Sequence, residues 1–310
     1  MFAVVFPGQG SQVVGMSTDL AREFPAARRV FDEADEALGE PLSRWIGEGP
    51  EEVLRRTEIT QPAILTASIA AWRVIETRLD RPPGALAGHS LGEYSALVAA
   101  GALAFPDAVR LVRKRGAFMQ EAVPEGQGAM AAVVGLSAEA VEQICAEIAG
   151  PVAAANLNAP TQVVIAGTAA AVDSATEALR AAGARRIVRL EVSAPFHSRL
   201  MKPAMERLAE ELAQTPFSDL RTPVVSNVTA EPYTRADQVR GLLREQVCAP
   251  VRWVDCVRRL VSLGATVELE VGPGKVLSGL AARIDRGLAH AHVGKVAELA
   301  EGLAQARKTG

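Results

Sequence analysis

The sequence predicts an α/β fold, a parallel-sheet body carrying a smaller inserted βαββαβ unit. Three observations carry that expectation. Short, unbroken apolar runs end on Gly or Pro, as strands buried on both faces do when they feed a loop. These runs alternate with helical stretches, the order that gives a parallel sheet with sites at the strands' carboxyl ends. The middle of the chain then changes to the order strand, helix, strand, strand, helix, strand.

The first run is Phe2–Phe6, closed by Pro7-Gly8. A second, at 85–87, enters Gly88, and the stretch after Ser90 is helical in pattern. Segment 129–134 is strand-like, and Val141, Ile144, Cys145 and Ile148 then share one helical face. Strands at 152–156 and 162–166 flank a loop with Asn158 and Pro160. Val172, Ala175, Ala178, Leu179 and Ala182 mark a second amphipathic helix closed by Gly183, and 187–192 gives the last strand of the unit. That order is the ferredoxin-like one. Segment 265–271 returns to the body and is broken by Gly272-Pro273-Gly274. The expected division is therefore a body of residues 1–125 and 194–310 with an insert at 126–193.

With 310 residues there is room for that body and its insert. A net charge of -3 offers no overall field for nucleic acid or an anionic membrane, so neither is an expected partner. Cys145, Cys248 and Cys256 stand far apart without a CxxC pair, so neither a metal site nor a disulfide framework is expected. The opening MFAVVFPGQG lacks a basic, cleavable leader pattern. The longest apolar run, 96–105, contains a Gly and is far short of a membrane span. A cytoplasmic enzyme is the expectation.

Gly88-His89-Ser90-Leu91-Gly92 fits G-x-S-x-G between a strand and a helix. Two glycines allow the sharp turn that lifts a serine hydroxyl into a cleft, with helix-terminal N–H groups beside it for an oxyanion. Ser90 is thus the candidate nucleophile. It needs a base, and there are four histidines. His89 is Ser90's neighbour, and adjacent side chains diverge at such a turn, so it reads as packing beside the elbow. His290 and His292 alternate in what reads as a solvated tail segment, leaving His197 at the insert's exit, in Ser193-Ala194-Pro195-Phe196-His197-Ser198. No third triad member is evident. Asp107 and Asp173 have no motif support, and a main-chain or amide oxygen can serve as the acceptor for the second imidazole N–H. Gly8-Gln9-Gly10 lacks the later Gly or Lys-Ser/Thr of a phosphate loop and reads as a close backbone approach to an acyl oxygen.

Ser90, His197 and the strings around them resemble the malonyl-CoA:acyl carrier protein transacylases (acyl carrier protein S-malonyltransferases) of fatty-acid synthesis. The resemblance runs through nearly the whole chain. It rests on Phe6-Pro7-Gly8-Gln9-Gly10-Ser11-Gln12, Thr60-Gln61-Pro62-Ala63, Gly88-His89-Ser90-Leu91-Gly92-Glu93-Tyr94 and Arg115-Gly116. It continues in Phe118-Met119-Gln120, Asn158-Ala159-Pro160, His197 with Leu200-Met201-Lys202-Pro203, and Val271-Gly272-Pro273-Gly274-Lys275.

The resemblance implies a hydrolase-like body with a ferredoxin-like insert and a Ser-His pair rather than a full triad. By position it makes Ser90 the nucleophile, His197 the base, and the Gln9 and Leu91 N–H groups the oxyanion hole. Gln246 helps hold His197 by accepting its second N–H. Arg115, in a run that otherwise reads as a solvated basic helix face with Arg110, Arg113 and Lys114, becomes the clamp for the malonyl carboxylate. Phe196 resembles the residue found before this histidine in malonyl-selective domains of polyketide synthases, where a ring would crowd an α-methyl branch. The implied reaction is ping-pong transfer of malonyl from coenzyme A to the phosphopantetheine thiol of acyl carrier protein, for fatty-acid or polyketide extension. It uses no cofactor, and a monomer is expected. Lys202, Arg185, Arg186 and Lys275 are candidates for meeting the acidic carrier. Two other readings use the same residues: a serine thioesterase or esterase, and an inactive carrier-protein-binding paralogue.

Overall fold

A computed structural model describes residues 1–192 and 194–308. Strands β1 (Phe2–Phe6) and β2 (Ala85–Gly88) begin the body. The insert holds β3 (Gly128–Val134), β4 (Val152–Ala159), β5 (Gln162–Thr168) and β6 (Arg186–Arg189). β7 (Val224–Val225), β8 (Pro232–Tyr233), β9 (Val267–Val271) and β10 (Ala289–Val293) complete the body. The body sheet runs β10-β9-β1-β2-β7-β8 and is parallel except for the β7–β8 edge.

The period of two along β1 divides its side chains between two cores: Phe2, Val4 and Phe6 on one face, Ala3 and Val5 on the other. Both faces are covered, so the strand reads as continuous apolar sequence. Helix Thr57–Ile75 packs in the first core and is buried nearly all round, as its apolar composition on every side requires.

The insert sheet is antiparallel, in the order β4-β5-β3-β6. Helices Ala138–Glu147 and Ala169–Ala181 bury Val141, Cys145, Val172 and Leu179 against Val133, Val163 and Ile165 in a separate core. A main-chain link joins insert to body: the Leu157 N–H donates to the Val251 carbonyl and the Val251 N–H to that of Ala155, each at 2.9 Å.

Two expectations are revised. The last strand of the insert ends at Arg189, not 192: the Leu190 N–H still bonds the Met130 carbonyl, but Leu190 and Val192 then line a cavity shared with Ser90 and His197. Ser193, expected to close the insert, lies outside the described residues. His290 and His292 are not in a solvated tail. They belong to the edge strand β10, whose Ala291 and Val293 are buried, and His292 meets Glu298 at 3.2 Å.

Candidate active site

The site forms where β2 turns into helix Gly92–Ala99. A Cβ on Gly88 would lie 2.0 Å from the main chain of Gly92, and one on Gly92 would lie 2.1 Å from the Phe6 carbonyl oxygen. Both contacts are with backbone, so only glycine lets strand and helix approach this closely. Ser90 itself has φ 52°, a left-handed conformation that costs a non-glycine residue roughly 1–2 kcal/mol. Asn227 holds it there. Its Oδ1 accepts the Ser90 N–H at 2.6 Å while its Nδ2 donates to the Gly88 carbonyl at 2.8 Å.

The Ser90 hydroxyl lies 2.7 Å from His197 Nε2. His197 Nδ1 is 2.9 Å from the main-chain carbonyl of Gln246. A carbonyl only accepts, so Nδ1 carries the proton and Nε2 is left to take one from Ser90. Burial, followed by the nearby Arg115 charge, pushes the imidazole down to about 3, which keeps it neutral.

Arg115 sits on helix Phe105–Glu121, whose buried side includes Ala108, Val112, Arg115, Gly116 and Met119. The neighbouring cations point elsewhere, Arg110 to Asp107, Arg113 to Glu40 and Lys114 to Glu211. Helical phase thus separates one inward arginine from a solvated basic face. Its guanidinium, 1% exposed, donates to Gln61 Oε1 at 2.7 Å, Gln246 Oε1 at 3.0 Å and Ser90 Oγ at 3.1 Å. Two amides and a hydroxyl accept from it, its Nε–H has no partner and no carboxylate bonds it directly among the described residues, so the site suits an anionic group next to the serine.

A cavity of about 110 Å³ is lined by Gln9, Gln61, Ser90, Leu91, Arg115, Phe196 and His197 among others. Among the described residues no acceptor meets the N–H of Gln9 or Leu91. Leu91 opens a helix, where the first N–H groups lack intrahelical partners. A groove of about 540 Å³ adjoins at His197, between the insert and the Cys248–Pro250 loop.

A half-buried serine bonded to a buried histidine thus lies beside an inward arginine. The acyl transferase domain model matches residues 3–308. A Bacillus subtilis (strain 168) protein named malonyl CoA-acyl carrier protein transacylase is 51% identical over 289 residues, covering 92% of this chain and 91% of its own. Its Escherichia coli (strain K12) namesake is 50% identical over 285 residues, 91% of this chain and 92% of that one. The chain belongs to the malonyl CoA-acyl carrier protein transacylase family. It is an acyltransferase of that family, and its fold is the family's. The structure of an acyl carrier protein S-malonyltransferase from Vibrio cholerae superposes with a TM-score of 0.95 at 46% identity, covering 97% of this chain and 99% of that one. A malonyl-transacylase solved in complex with a type II PKS acyl carrier protein gives 0.95 at 47%, covering 98% and 99%.

Other candidates in this transacylase fall into place around the site. His89 is bonded at Nε2 to Asn158 Oδ1 at 2.8 Å and its ring centroid is 5.5 Å from that of Trp253, so it packs beside the elbow. Asp107 and Asp173 pair with Arg110 and Arg189 rather than with His197. Arg185, Arg186, Lys202 and Lys275 are exposed. Three site residues had no assigned role in the sequence reading. Gln61 carried one signal, a long polar side chain in a largely apolar helix. Glu93 and Asn227 carried little, since their partners are far away in the chain.

Proposed function

We propose that this transacylase moves malonyl from coenzyme A to the phosphopantetheine thiol of an acyl carrier protein through a malonyl ester on Ser90. The observation that carries the reading is the buried Arg115 guanidinium 3.1 Å from the nucleophilic oxygen. An acyl group ending in a carboxylate can satisfy that cation while its thioester carbonyl faces Ser90.

His197 Nε2 takes the Ser90 proton as Oγ bonds to the thioester carbon. The Gln9 and Leu91 N–H groups meet the developing oxyanion. The tetrahedral adduct collapses, the C–S bond breaks, and the coenzyme A sulfur leaves with the proton from His197. The carrier thiol then enters, gives its proton to His197 and attacks the ester, and Ser90 recovers that proton on release. Both halves use one site, so ping-pong kinetics follow. The cycle calls on no cofactor and on groups from one chain, and we place the enzyme in the cytoplasm as a monomer. Phe196, buried at the cavity wall, disfavours an α-methyl branch; discrimination of one methyl is worth about 1–3 kcal/mol.

No helix of the described residues is long and apolar enough to cross a membrane. Intact-mass analysis after malonyl-CoA addition tests the reading. Wild type should carry one malonyl group, lose it to a holo carrier protein faster than to water, and Ser90→Ala should carry none. An unmodified wild-type protein overturns the mechanism, and loss to water at the same rate as to carrier makes the enzyme a thioesterase.

A further inference from the structure

Gln246 touches three parts of the machinery. Its main-chain carbonyl holds His197 Nδ1, its Oε1 accepts from Arg115, and its Nε2 donates to the Ser90 carbonyl at 3.1 Å and to Glu93 Oε2 at 2.7 Å. The amide has two possible orientations. Turned over, its NH₂ would face the Arg115 N–H and its oxygen would face the Glu93 carboxylate, donor against donor and acceptor against acceptor. The Glu93 carboxylate, at the shorter distance, together with the Ser90 carbonyl therefore sets which end of Gln246 the arginine meets.

Glu93 is fully buried in the first turn of the elbow helix, three residues after the nucleophile. Every group bonded to it is a donor: Gln246 Nε2, the Asn227 N–H at 3.1 Å, and the Tyr233 hydroxyl at 3.0 Å. Three donors and a helix N-terminus favour the ionised, acceptor-only form. Burial works the other way and raises the carboxyl to about 7. The titratable and charged groups facing it are Arg115, Tyr94, Tyr233 and Cys256. The carboxylate makes no direct bond to Arg115; it reaches it through one amide.

We propose that Glu93 is a positioning residue for acyl-group selection. By fixing the Gln246 amide it holds the Arg115 guanidinium where an acyl carboxylate must dock. The proposal rests on the malonyl-transfer reading above and assigns Glu93 no contact with substrate. Glu93 also braces Asn227 and hence the elbow, and that arm serves every acyl group alike. The Gln246 arm serves only acyl groups that use Arg115. Damage to it must therefore appear as a change in the malonyl-to-acetyl ratio, which a purely structural role leaves alone.

The test is a double-mutant cycle on Ser90 acylation, with malonyl-CoA and acetyl-CoA as paired substrates. Gln246→Ala keeps the main-chain carbonyl that holds His197 but removes the amide. It and Glu93→Met, which offers no acceptor, should each lower the malonyl-to-acetyl ratio by roughly tenfold or more. Glu93→Gln, whose amide oxygen can still accept from Gln246 and Asn227, should stay within about threefold of wild type. In the Gln246→Ala background, Glu93→Met should change the ratio no further, because the two act in series. Thermal melting checks that each variant is folded; if Glu93→Met is not, Glu93→Asp, which sets the carboxylate back by one methylene, replaces it. An equal loss of both acyl groups in the Glu93 variant, additive ratios in the double variant, or an unchanged ratio in Gln246→Ala overturns the proposal. Wild type that takes up no malonyl overturns the transfer reading beneath it, a different and separately visible result.

Discussion

Arg115→Ala removes one cation, and the structure tells what else goes with it. Gln61 and Gln246 each lose a donor to their amide oxygens, and Ser90 loses one to its hydroxyl. For malonyl the dominant loss is the partner of its carboxylate, which would then be buried unpaired. Breaking such a pair costs about 3 kcal/mol or more. At 1.36 kcal/mol per tenfold, that is roughly a 150-fold fall in kcat/KM. Acetyl has no carboxylate and loses none of this. It also gains, since Arg115 is the second-largest influence holding His197 low, and without it the imidazolium forms more readily. The expected result is a drop of roughly 100-fold or more in malonyl preference, with acetyl transfer unchanged or faster. Release of coenzyme A thiol, followed for both thioesters under steady-state conditions, gives the two kcat/KM values. Equal loss for both would show that Arg115 supports the fold of the elbow and does not select the acyl group, and the carboxylate-clamp reasoning would fail.

Three further outcomes follow from the same geometry. Asn227→Ala frees the left-handed Ser90 turn and should lower kcat for malonyl and acetyl alike, by roughly 100-fold for a nucleophile displaced by about 1 Å; a changed acyl preference would contradict its role as an elbow brace. With His197 neutral down to about 3, acetyl transfer should stay level from about pH 5 to 8; an acid limb in the acetyl profile near the ordinary histidine value of about 6.5 would contradict that account. Glu268 on β9 is 0% exposed, with neither carboxylate oxygen bonded among the described residues, and burial, then Glu270, raises its pKa well above 4.5. The folded chain therefore keeps a proton that the unfolded chain releases, so stability falls as pH rises above about 4.5 toward the folded value. Glu268→Leu should flatten that slope and raise stability near pH 8 by about 1–3 kcal/mol, seen as a higher melting temperature; a lower one at that pH would refute the account.

The parts of this molecule legible in the sequence are those specified locally. β1 is five consecutive apolar residues, and the elbow is a five-residue string recognisable by its two glycines, of which Gly88 is demanded by a contact four positions on. β7 and β8 have two residues each and no period to detect, and β10 hides its strand alternation behind two histidines that suggested a tail. The same distinction holds within the site. Ser90 announces itself through its turn, whereas His197 emerged by elimination and the role of Arg115 by resemblance. Its inward position was nonetheless encoded, since Ala108, Val112, Arg115 and Met119 keep helical spacing while Arg110, Arg113 and Lys114 fall outside it.

What local patterning cannot encode is the set of polar contacts across the chain. Glu93 meets Asn227 and Gln246 across 134 and 153 positions of sequence, and Asn227 meets Ser90 across 137. Each of these residues looks ordinary in its own segment and becomes informative only when the fold removes water from around it. A buried carboxylate, a buried arginine and a buried imidazole cannot be placed together by hydrophobic burial, which opposes all three. They are held there by directional bonds, and those bonds converge on Gln246, which supplies the acceptor for both His197 and Arg115. The proposed base and clamp therefore share one anchor at the end of helix Ala236–Gln246, so a shift of that helix end should move proton transfer and acyl recognition together, and substitutions there should show coupled rather than additive effects on the two.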